Sequence, residues 1–267
     1  MVRAIILLSL ISLPSFAGDN SATIITKGTN NQITTKQIGN SNTVKVICGA
    51  QSGGTAHSTY TYASHTCGGA VISSTQRGNS NIGRIYTVWS NNVGNTYTID
   101  TDGNDNFAWI DQDQDDNVST ITQDGNSNHA EHLGSGDDNA ITITQTGNNM
   151  YAKILTFSDD SDYTITQSGS GAHNAYVYNY GNADNNSATV TQYGVGNKDA
   201  DIFFYADADN STVNLTQYGS GAHAANMKFY TDDYTVNVTQ SGATNQAYTA
   251  VFNCVESCTK TLTITQQ

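Results

Sequence analysis

Cys48 and Cys67 flank a loop rich in Gly, Ser and Thr that also holds His57 and His65. Two thiols and two imidazoles are a donor set that zinc accepts, although these spacings follow no recognised zinc pattern. Cys254 and Cys258 lie in a second loop, just before the last stretch of alternating residues. Four cysteines allow three connectivities. Proximity favours Cys48–Cys67 and Cys254–Cys258, and disulfides suit an exported chain better than zinc does. His173 and His223 both sit in Ser-Gly-Ala-His. Glu occurs only at Glu131 and Glu256, and the ten Lys and Arg are scattered. No cluster of carboxylates and bases emerges, so catalysis is not expected, nor is a cofactor. Asp collects in short runs, such as Asp159-Asp160-Ser161-Asp162 and Asp207-Ala208-Asp209-Asn210. These read as solvated turns, with divalent-cation binding as the rival. Stacked like charges there would raise the carboxyl pKa values, so lower pH would favour stacking.

The elements that position these residues repeat. A Gln recurs at Gln37, Gln76, Gln123, Gln145, Gln167, Gln192, Gln217, Gln240 and Gln266, with Thr101 in the same place once; intervals run from 22 to 39 residues. Periods in the twenties mark a solenoid. From Thr101 on, an apolar residue comes two positions before each anchor: Ile99, Ile121, Ile143, Ile165, Val190, Leu215, Val238 and Ile264. Thr or Asn fills most positions between. Such alternation is a strand with one face in and one out, and the Gln shares the inward parity. A glycine follows two residues on: Gly39, Gly78, Gly103, Gly125, Gly147, Gly169, Gly194, Gly219 and Gly242. It marks a turn or arc. Asn recurs three positions later, at Asn42, Asn81, Asn106, Asn128 and Asn245, and Ala follows, from Ala108 to Ala247. A second strand rich in aromatic and β-branched residues completes the unit. Each repeat is therefore strand, arc, strand, turn, and stacked copies would pair at ~4.8 Å. The inward Gln and Asn would form ladders. His173 and His223, two repeats apart, would lie about 9–10 Å from one another, too far to share a metal; a structural arc position is expected.

The pattern Gln-x-Gly with Asn and Ala at fixed offsets resembles the curlin repeat of bacterial curli fibres. It is visible in Gln123-Asp124-Gly125-Asn126-Ser127-Asn128-His129-Ala130 and in Gln240-Ser241-Gly242-Ala243-Thr244-Asn245-Gln246-Ala247. Gln167, Gln192 and Gln217 depart from it by an arc one residue longer. The second strand shows Thr156, Asn179, Phe204, Phe229 or Val251 where curlins carry a second Gln. The resemblance implies an all-β solenoid of cross-β type and a secreted fibre subunit. Its implied partners are other copies of itself, a nucleating subunit, an outer-membrane secretion pore and periplasmic chaperones.

Residues 1–17 read as a secretory signal peptide: Arg3, the apolar run Ala4–Leu13, Pro14, then Ser15-Phe16-Ala17. The apolar run falls far short of the ~18 residues that would span a membrane, so no integral membrane segment is expected. Residues 18–32 read either as a leader or as a partial rung, because Ala22-Thr23-Ile24-Ile25-Thr26 alternates like a repeat strand. Residues 33–267 form the solenoid, with an insertion at about 48–69. Pro14 is the only proline, so none interrupts the strands. The net charge of −13 and the absence of a basic run exclude nucleic acid as a natural partner. The reading is a secreted, extracellular, fibre-forming β-solenoid serving biofilm and adhesion. Its rivals are a non-polymerising solenoid adhesin and an ice-binding solenoid, whose threonine arrays Thr142/Thr144, Thr164/Thr166 and Thr189/Thr191 resemble.

Overall fold

Alternation without proline lets every repeat extend, and the glycines let it turn back. The computed structural model of the chain describes residues 18–49, 66–87, 92–112, 114–135, 140–157, 161–180, 185–204, 211–228, 234–251 and 260–267. These form a β-solenoid with no helix among the described residues. Two columns of parallel strands face one another across a narrow core.

The first column is a sheet of ten strands: β2 (Gln32–Ile38), β5 (Val71–Arg77), β8 (Thr96–Asp102), β10 (Val118–Asp124), β12 (Ala140–Gly147), β14 (Asp162–Gly169), β17 (Val190–Gly194), β19 (Leu215–Gly219), β21 (Tyr234–Gln240) and β23 (Lys260–Gln266). The second column opens with seven: β1 (Ser21–Thr26), β3 (Thr43–Cys48), β6 (Ile82–Thr87), β9 (Phe107–Asp111), β11 (His129–Ala130), β13 (Tyr151–Ala152) and β15 (Asn174–Ala175). It continues as the pairs β16 (Val177–Asn179) with β18 (Ile202–Phe204) and β20 (His223–Lys228) with β22 (Gln246–Val251). The break has a local cause: the backbone of Val177–Tyr180 and Ile202–Phe204 takes positive φ, a region these side chains rarely adopt. A small third ladder pairs β4 (Cys67–Gly68) with β7 (Asn92–Val93) at the turn between repeats.

Pairing is in register, so equivalent residues stack in files. Ile99, Ile121, Ile143, Ile165, Val190, Leu215 and Val238 lie in one such file and are fully buried. Opposite them run Ala108, Ala130, Ala152, Ala175, Ala200 and Ala225. Ala247 leaves this file: Tyr248 pairs with Ala225, and Ala247 faces solvent. Phe204, Asn179 and Thr156 all turn inward, and Asn179 bonds both the Thr156 hydroxyl and the Tyr163 hydroxyl. Phe229 falls outside the described residues, whereas Val251 is exposed.

The long first interval leaves the register intact, since Gln37 pairs directly with Gln76. Cys48 and Cys67 are joined by a disulfide with their Cα atoms 5.4 Å apart, clasping the base of the insertion. This overturns the zinc reading, because both sulfurs are consumed in one bond. His57 and His65 lie outside the described residues, as do Cys254, Cys258, Asp159, Asp160, Asp207 and Asp209.

The turn glycines stack from Gly39 to Gly242 with φ between +101° and +145°. A Cβ on Gly125 would overlap the carbonyl oxygen of Gly147 in the next strand. Both the dihedral and the space therefore demand glycine. Gly125→Ala should lower stability by at least ~1–3 kcal/mol, read as a fall in the thermal unfolding midpoint. An unchanged midpoint would mean that the arcs do not stack this closely.

Candidate assembly site

The inward amides are held by the strands of the first column. Gln76, Gln123, Gln145, Gln167, Gln192, Gln217 and Gln240 are all buried. From Gln123 on, each Nε2 donates to the Oε1 of the next: 2.8 Å to Gln145, 2.9 Å to Gln167, 2.8 Å to Gln192, 2.9 Å to Gln217, 2.7 Å to Gln240 and 2.8 Å to Gln266. The second amide proton often goes to a carbonyl of the opposite column, as from Gln123 to Phe107, Gln145 to His129 and Gln167 to Tyr151. Gln37 likewise donates to Gln76, at 3.2 Å. The file is broken at Thr101: its hydroxyl is buried without a partner, and so is the Oε1 of Gln123 beside it.

A second ladder runs along the arc. The backbone N–H of Asn81 donates to the Oδ1 of Asn42, Asn106 to Asn81, and Asn128 to Asn106, at 2.9–3.0 Å. Each Nδ2 reaches 2.8 Å to a turn-glycine carbonyl of the neighbouring strand: Asn42 to Gly78, Asn81 to Gly103, Asn106 to Gly125 and Asn128 to Gly147. Asn20 heads the file, with Oδ1 accepting from Asn42 and Nδ2 donating to Gly39.

Asn245 stands outside this ladder. It is exposed and accepts from the Ala222 N–H, while Gln246 takes the file position beside His223. The cause is arc length. The arc after Gln240 is one residue longer, like those after Gln167, Gln192 and Gln217. In these longer arcs the file reads His173, Lys198, His223 and Gln246, after Met150. Lys198 is fully buried, with Nζ donating to Gly196 and Gly221 at 2.7 Å and to Gly219 at 3.2 Å. Three carbonyls so replace water around its charge. His173 and His223 flank it, their Nε2 atoms donating to the Ser168 and Tyr218 carbonyls. The two histidines are thus separated by a cation. Burial pushes both imidazoles below their ordinary range; the carbonyl bonds oppose this and Lys198 reinforces it.

Two further files went unpredicted. A solvent-facing amide ladder links Asn79 to Asn104, Asn104 to Asn126, and Asn126 to Asn148. Its signal was the Asn directly following Gly78, Gly103, Gly125 and Gly147. On the outer face of the second column, Phe107, His129 and Tyr151 stack with centroids 4.6 and 4.9 Å apart, and Arg84 lies over Phe107. The three rings sit just before the recurrent alanine.

With two amide ladders and a glycine file in place, the comparison with known families is specific. The curlin associated repeat matches residues 136–169 and 183–219. Over these two stretches the chain is similar to the curlin family. No curated protein and no solved structure matches the chain.

Thr101→Gln should close the gap, accepting from Gln76 and donating to Gln123, and should raise stability by ~1–3 kcal/mol. A lower denaturation midpoint would show that the file has no room at that place. The lowered imidazole pKa values of His173 and His223 favour the neutral ring in the fold, whereas an unfolded imidazole titrates near ~6.5. Their contribution is therefore complete above that pH and is lost as pH falls towards the lowered folded values. The denaturant midpoint should drop between pH 7 and pH 5, and His173→Asn with His223→Asn should narrow that drop. The same drop in both proteins would assign the pH dependence to other groups.

Proposed function

We propose that this curlin-repeat chain is a secreted structural subunit that assembles head to tail into extracellular, curli-like amyloid fibres of a biofilm or adhesive matrix. The observation that carries this reading is the open strand edge at each end of the described solenoid. An uncovered edge offers a row of unpaired N–H and C=O groups to another strand. Here it also offers the ends of an amide ladder that repeats the same bond from Gln123 to Gln266. Another copy of the chain satisfies both. Catalysis has no place in this reading; the activity is addition of subunits. Export would rest on residues 1–17. The family resemblance supports a secretion pore, periplasmic chaperones and a nucleating subunit as partners.

One observation favours the ice-binding rival. Thr122, Thr144, Thr166, Thr191, Thr216, Thr239 and Thr265 form an unbroken outward file. Threonine is also a good exposed strand residue, which accounts for the file without ice. Thermal hysteresis by freshly purified chain would support the rival.

The deciding experiment is electron microscopy with thioflavin fluorescence on the purified chain lacking residues 1–17. Fibres should form with a lag. Gln145→Leu with Gln167→Leu should lengthen that lag, because neighbouring amides lose partners at ~1–3 kcal/mol each. Thr144→Ser with Thr166→Ser should change it little. A chain that stays monomeric would favour the non-polymerising adhesin.

A further inference from the structure

The two columns are offset by one strand at each end, and the offsets are complementary. At one end β1 stands in the second column beyond β3, one place past the start of the first column at β2. At the other end β23 stands in the first column beyond β21, and among the described residues nothing fills the second-column place beyond β22. We propose that β23 of one copy and β1 of a second copy share a single rung, so that subunits interlock by a stepped joint instead of abutting on flat ends. The proposal rests on the assembly reading and specifies its contact.

The files fix the register of the joint. Gln266 continues the Gln file and would stack on Gln37 of the second copy. Asn20 heads the arc file that Gln246 continues, so Asn20 would stack on Gln246, Thr23 on Thr249 and Ile24 on Ala250. Amide polarity agrees. Every Gln–Gln bond of the file runs from an Nε2 to the Oε1 of the higher-numbered Gln. Gln37 thus presents an Oε1 that accepts nothing among the described residues, and Gln266 presents an Nε2 whose only bond is a 3.4 Å reach to Ala247. Donor end meets acceptor end only when copies join in one direction. The apolar residues agree as well. Ile24 and Ile264 are partly buried against the core, each with one side uncovered. In the shared rung they would face one another across the core, covered by Ala250 of the first copy and by β2 of the second. Such a contact is heterologous and does not close, which generates a filament.

Disulfide trapping tests the joint. Thr23 and Thr249 are both exposed and would lie on neighbouring in-register strands, ~4.8 Å apart, within the Cα range a disulfide tolerates. A Thr23→Cys chain mixed with a Thr249→Cys chain should give a dimer linked through residues 23 and 249, mapped by peptide mass spectrometry. Its yield should exceed by about tenfold that from Thr23→Cys mixed with Thr142→Cys, which lies mid-solenoid and pairs with no end strand. In parallel, deleting residues 18–27 should slow elongation on wild-type seeds about tenfold, since a whole strand pairing is lost from the joint. Fibres without the 23–249 link, or with elongation unaffected by the deletion, would overturn the shared rung while leaving fibre assembly standing. The link without fibres would uphold the joint and overturn the polymer reading. Neither link nor fibres would overturn both.

Discussion

In-register parallel stacking is the constraint from which the rest of this structure follows. When each residue lies over its own equivalent, a side chain tolerated once must be tolerated in contact with its copies. An inward amide meets that condition, because it carries a donor and an acceptor on opposite sides. A glycine in the arc meets it because nothing projects towards the next carbonyl. A buried charge does not repeat well, and Lys198 is flanked by two neutral rings instead of by further lysines.

Stacking also separates the axis of the solenoid from its sides. An insertion between strands leaves the register untouched, as the pairing of Gln37 with Gln76 across the disulfide-bounded insertion demonstrates. Arc length is freer than strand register for the same reason. The longer arcs from Gln167 onward keep Gln over Gln but change what fills the arc file from Asn to His, Lys and Gln.

Where alternation is strict, the sequence was readable. The first column, its inward Gln and the turn glycines all follow from a period of two and one fixed offset. Legibility failed where offsets drift. Counting from Gly242 selected Asn245 and Ala247, although the longer arc moves Gln246 and Tyr248 into their places. Residues 18–32 were ambiguous because six alternating residues suit either a leader or a strand; pairing with β3 is a long-range contact that no local pattern reports. The positive φ values at Val177–Tyr180 and Ile202–Phe204 were equally invisible, since these residues have the composition of ordinary strand. The outer Asn file could have been found, for its Gly-Asn signal is plain at Gly78, Gly103, Gly125 and Gly147.

The gap at Thr101 has a mechanical meaning. Hydrogen bonds between strands run along the solenoid axis, so a pull along that axis strains all the bonds of one interface side by side. At most interfaces of the first column a core amide shares the tension with the backbone. At the two interfaces bordering Thr101 the backbone carries it without that help, since neither the Thr101 hydroxyl nor the Gln123 Oε1 has a partner. Under stretching, this is where the amide spine of the solenoid is already parted, and a tear has one bond fewer to break.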